Sequence, residues 1–150
     1  MTLGLAVLAL TAASPPELAK LAPFVGHCWS AELAVGVVDT HCFSPVFGGR
    51  HIRDVHNVRK GGRVLYQGET LYSAEAGAAT LTYWSSLGGI GRGTVSPEGN
   101  GLAFSYVMRA APNAEAKPMR SQWRWIDRDR YEVRNDGSGP ILFRRDRRRP

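Results

Sequence analysis

The chain has 150 residues, 43% of them hydrophobic and 21% charged. That is enough for one domain with its own core, and too apolar for a disordered protein. The formal charge is +6, but Arg144 to Pro150 alone hold five arginines against one aspartate. The remainder is nearly neutral, which excludes a basic nucleic-acid surface spread over the domain.

In chain order, residues 1–13 read as an export signal. Leu3 to Leu10 is a short apolar run, Thr11-Ala12-Ala13 supplies small residues for cleavage, and Ser14-Pro15-Pro16 breaks the helix. The run is far shorter than the roughly 20 residues a membrane span needs. It lacks a basic residue ahead of the apolar stretch, which points to a start further upstream. A periplasmic or secreted protein with no stable membrane span is the expectation. One short helix is expected over Pro15–Pro23, with Ser14 as its cap, Leu18, Leu21 and Ala22 on one face, and Pro23 as its stop.

Cys28 and Cys42 are the only cysteines. If Trp29–Leu33 and Val37–His41 are antiparallel strands joined by Ala34-Val35-Gly36, with Gly36 left-handed, then Leu33 faces Val37, Ala31 faces Asp39 and Trp29 faces His41. The same register sets Cys28 opposite Cys42, close enough for a disulfide. The competing reading is a zinc site from His27-Cys28 and His41-Cys42. Adjacent strand residues point to opposite faces, so no metal ligand is assigned.

Turn residues then punctuate a series of short strands: Arg50–Arg59, Val64–Ser73, Ala79–Ser86, Gly91–Ser96, Leu102–Arg109, Arg120–Ile126, Tyr131–Asn135 and Ile141–Arg144. Several alternate cleanly. Leu102, Phe104, Tyr106 and Met108 share one face, Trp123 and Trp125 another, and Val64, Tyr66, Thr70 and Tyr72 a third. The fold class expected is all-β: an antiparallel up-and-down β-barrel of about eight to ten strands with one short N-terminal helix. The barrel domain spans 14–143, and 144–150 form a solvated basic tail whose one expected contact is a weak one with anionic surfaces. A cone fold needs more helices, and a helix-grip fold a long C-terminal one. The oligomeric state is left as monomer or homodimer.

The short helix, Phe24-Val25-Gly26-His27-Cys28-Trp29 and the strand meander together resemble calycin-type barrels: the lipocalin, fatty-acid-binding and nitrobindin-like proteins. Gly26-x-x-Trp29 matches the element that closes one barrel end there. The chain is also similar to small exported bacterial proteins of unknown function. The resemblance implies a small-molecule cavity. Nitrobindin-like relatives hold haem through a histidine late in the chain. All four histidines here (His27, His41, His51, His56) lie in the first 56 residues, so no haem, and no other cofactor, is expected.

The densest polar stretch is Arg50-His51-Ile52-Arg53-Asp54-Val55-His56. Its alternation puts His51 and Arg53 on one face, Asp54 and His56 on the other. Whichever face lines the barrel must pair its charges or bind something. The ligand-binding set is read as Arg53, His56, Glu69, Tyr72, Tyr83, Arg92 and Tyr106, with Arg53 or Arg92 holding a carboxylate-like head group. No catalytic residue is assigned. Asp54 and His56 stand side by side without a nucleophile, and Gly88-Gly89-Ile90-Gly91-Arg92-Gly93 lacks the lysine and helix of a phosphate loop. The leading function is an exported protein binding an apolar or amphipathic small molecule. The alternatives are a filled cell-envelope module without ligand, and a hydrolase or isomerase using the His51–His56 region.

Overall fold

The structure is a computed structural model and describes residues 13–147. The expected export segment, apart from Ala13, lies outside the described residues, as do 148–150 of the expected tail.

A 3-10 helix over Pro16–Phe24 opens the described chain. Proline at its first position suits a helix start, although Pro15 rather than Ser14 caps it, without a side-chain bond. Three residues per turn align Leu18, Leu21 and Phe24 on one face, and all three are buried. Ala22, expected on that face, is exposed for the same reason. Pro23 does not stop the helix, because the next 3-10 bond runs from the Val25 amide to the Ala22 carbonyl at 3.1 Å.

Ten strands follow: β1 (Cys28–Ala34), β2 (Val37–Val46), β3 (His51–Lys60), β4 (Arg63–Glu75), β5 (Ala78–Ser85), β6 (Ile90–Glu98), β7 (Gly101–Arg109), β8 (Ala116–Asp127), β9 (Arg130–Asn135) and β10 (Ile141–Arg145). Each pairs antiparallel with its sequence neighbours, and β1 pairs with β10 to close the barrel. The architecture is the up-and-down barrel read from the alternation, and closure leaves no sheet edge.

The β1–β2 hairpin joins Cys28 to Cys42 in one disulfide, with Trp29 opposite His41 and Ala31 opposite Asp39. Its tip differs from the expectation. Ala34, not Leu33, faces Val37, because Leu33 is the extra residue of a bulge and the loop shortens to Val35-Gly36. Gly36 is left-handed, at φ 71°. A second bulge, between Val58 and Arg59, takes Val64 out of the Tyr66–Tyr72 row and leaves it exposed.

The seam is short: Trp29 and Ser30 pair with Arg145 and Arg144. These two arginines thus belong to the barrel rather than to a tail starting at 144. Asp146 extends the seam through its amide to the Cys28 carbonyl, 2.8 Å, and through its carboxylate to the Ser30 hydroxyl, 2.9 Å.

One end of the barrel is filled. Phe24 packs against Trp29, Phe43, Trp123, Trp125 and Tyr131, while the helix also touches β3, β4 and β5. An element that meets opposite walls lies across the opening. Trp29, the tryptophan of Gly-x-x-Trp, is fully buried beside it. Fully burying side chains of this size stabilises by about 1.5–3 kcal/mol each.

Candidate functional site

Alternation on β2 turns Asp39, His41 and Phe43 inward, and on β3 Ile52, Asp54 and His56. The β2–β3 register sets His41 directly opposite His56, with Asp54 opposite Phe43 and Asp39 opposite Val58. Two Asp-x-His pairs on adjacent strands therefore meet inside the barrel.

His41 lies between the two carboxylates. Its Nδ1 is 2.8 Å from Asp54 Oδ2 and its Nε2 3.3 Å from Asp39 Oδ2. Its Nε2 is also 3.1 Å from His56 Nδ1. The far nitrogen of His56, Nε2, is 3.2 Å from the Tyr83 hydroxyl, which in turn contacts the Tyr66 hydroxyl. Burial disfavours a charged His41, but the charge of Asp54, hydrogen bonds with Asp39 and Asp54, and the charge of Asp39 outweigh it and raise its pKa to about 10. Burial likewise pushes Asp39 up, and contact with the His41 ring and the nearby His56 ring overcome it, holding Asp39 well below the usual carboxylate range. Burial and the Tyr66 hydroxyl push Tyr83 far up, so it stays a phenol.

Gly68 on β4 makes room for this arrangement. It pairs with His56, and a Cβ there would fall on the His56 ring and the Tyr83 hydroxyl. The cluster forms the polar end of a cavity of about 310 Å³ inside the barrel, whose other walls include Leu81, Phe104, Trp123 and Phe143. Asp39 Oδ1 and Asp54 Oδ1 are buried there without a hydrogen-bond partner. Among the described residues lining the cavity there is no arginine or lysine.

Of the expected ligand-binding set, His56, Tyr72, Tyr83 and Tyr106 line the cavity. Arg53, Glu69 and Arg92 do not. Each lies between inward-facing neighbours on its strand and so points outward. Arg53 and Glu69 form a bidentate pair on the outer wall, both bonds 2.7 Å, and Arg92 is exposed. His51 bonds the Ser73 hydroxyl at 2.8 Å rather than joining the cluster. Asp39 and His41 were not in the expected set. Their signal was the Asp-x-His spacing repeated on consecutive strands. Both cysteines are in the disulfide, so neither is a metal ligand.

The fold and site define a closed, ten-stranded up-and-down barrel with a histidine–aspartate cluster at one end of an aromatic interior. No known family matches the chain, and no curated protein does. The fold is shared with the crystal structure of Rv2717c from M. tuberculosis, at a TM-score of 0.58 over 90% of this chain and 100% of that one, with 18% sequence identity. At that identity the likeness concerns the fold alone.

Proposed function

We propose that this is a calycin-like carrier or sensor that binds a small amphipathic molecule inside the barrel, and that it works outside the cytoplasm. The observation that carries the reading is the 310 Å³ cavity with one polar end; a filled envelope module would have side chains in that space. The size fits a compact molecule rather than a long acyl chain. The head group differs from the carboxylate expected from Arg53 or Arg92. With two carboxylates and no lysine or arginine in the lining, the polar end favours a hydrogen-bond donor or a cationic nitrogen. The disulfide supports an oxidising compartment.

The test is native mass spectrometry of protein purified from its own host, with tryptophan fluorescence titrations using an aromatic amine and the carboxylic acid of the same shape. A co-purifying small molecule, or saturable quenching by the amine in preference to the acid, is the expected result. Bare protein that responds to neither compound favours the module without ligand.

A further inference from the structure

We propose that Asp39, His41 and His56 bind one divalent first-row transition-metal ion inside the barrel. This goes beyond the small-molecule reading but uses the same end of the cavity.

Potential ligand atoms of three side chains already stand near the separations a metal imposes, with the Asp39 carboxylate meeting the two rings through different oxygens. An ion held ~2.1 Å from its nitrogen and oxygen ligands keeps neighbouring ligand atoms about 3.0–3.4 Å apart, the lower figure for right angles and the upper for a tetrahedron. Here His41 Nε2 and His56 Nδ1 are 3.1 Å apart, and Asp39 presents Oδ2 at 3.3 Å from the first and Oδ1 at 3.4 Å from the second. The three side chains offer one ligand atom each, all within 4.8 Å of one another. Asp39 Oδ1 has no hydrogen-bond partner although it is buried. A cation bound there would satisfy it, and the protein's own hydrogen bonds do not.

The outer contacts are those of metal-binding histidines, which present one ring nitrogen to the ion and hold the other with an oxygen. His41 bonds Asp54 through Nδ1 and His56 bonds Tyr83 through Nε2, so each ring has its second nitrogen occupied and its first turned to the shared point; the ion displaces the proton that His41 carries on Nε2, which leaves to solvent. Two imidazoles and one carboxylate suit zinc, iron(II) or cobalt(II) better than calcium or magnesium, which take oxygen ligands. Three protein ligands leave a coordination position open, and the adjoining cavity has space for the water or ligand atom that fills it.

The test uses the whole protein, stripped with a chelator and then titrated with zinc chloride in the absence of any organic compound. Calorimetry and metal analysis after dialysis should show one ion per chain. His41→Gln and His56→Gln should each weaken binding by at least about 100-fold, and Asp54→Asn by roughly 10- to 100-fold. His27→Gln and His51→Gln, which lie outside the cluster, should leave it unchanged. Cobalt(II) added to unaltered protein gives a readout that does not depend on whether variants fold: the ring signals of His41 and His56 should broaden before those of His27 and His51. No binding at zinc concentrations well above micromolar overturns the inference, as does full affinity in a folded His41→Gln protein or cobalt broadening centred on His27 or His51. Because chelated protein can still be tested for a small-molecule adduct, the two proposals fail separately.

Discussion

Replacing His41 by glutamine removes an imidazole held between two buried carboxylates, and the signature of its loss depends on pH. In the folded chain the His41 pKa is raised from 6.5 to about 10 by Asp54 and Asp39 against the opposing effect of burial, with His56 packed on its other edge. A raised pKa gives stability that is fully present below pH 6.5 and lost as the pH climbs through 10. Where the folded form keeps its proton and the unfolded form has lost it, stability falls by about 1.4 kcal/mol per pH unit. Between about pH 7 and 9 the integrated loss is on the order of 2–3 kcal/mol. Tyr72, Tyr83, Tyr106 and Tyr131, all raised by burial, do not lose protons in that window, and His27 is lowered by burial and by Arg145, so it titrates below it. Urea unfolding followed by tryptophan fluorescence, with chelator present, measures the loss. The unaltered protein should lose roughly 2–3 kcal/mol more than His41→Gln between those two pH values. Equal losses in the two proteins would refute the placement of a protonated ring between Asp39 and Asp54.

Two other changes have outcomes set by the fold. Replacing Cys28 and Cys42 by serine, or reducing them, releases a link with a sequence separation of 14; the chain-entropy cost is about 3 kcal/mol, or roughly 10 °C in melting temperature by calorimetry. Alkylation without reductant should label neither thiol. Gly68→Ala puts a methyl group onto the His56 ring and the Tyr83 hydroxyl, which should cost about 1–3 kcal/mol in urea unfolding; unchanged stability would mean that the ring has room to move.

Much of the barrel is legible in the sequence because one physical rule governs it. Side chains on a strand alternate, so rows such as Leu102–Phe104–Tyr106–Met108 and Trp123–Trp125 declare which face is inside, and turn residues mark where each strand ends. What fails is whatever breaks that period. The bulges at Leu33 on β1 and at Leu65 on β4, opposite Val58 and Arg59, each add a residue that no alternation announces, and they displaced Leu33 and Val64 from their expected rows. The 3-10 helix fails for a related reason: an α-helical period points to Ala22, whereas three residues per turn point to Phe24.

The site was half legible for the same cause. Alternation alone separates Asp54 and His56 from Arg53, but it cannot say which set faces in, and the charge of Arg53, Glu69 and Arg92 drew three of the expected residues from what is the outer face of the barrel. The β1–β2 hairpin supplies the missing sign. Its register makes Cys28 and Cys42 partners, and Trp29, next along β1, is the large apolar residue of that strand and belongs inside. Its partner His41 shares Trp29's face of the sheet and is therefore inside. From His41 the antiparallel β2–β3 pairing, closed by the turn at 47–50, leads to His56, and the residues two positions away along each strand are Asp39 and Asp54. A disulfide next to the shortest pairing of the barrel thus does more than stabilise. By fixing β1 on β2 it fixes which face of β2 lines the barrel, and so which acids and imidazoles share the buried space. A one-residue slip in that hairpin would turn Asp39 and His41 to the solvent, leaving Asp54 without its imidazole and His56 with Tyr83 alone.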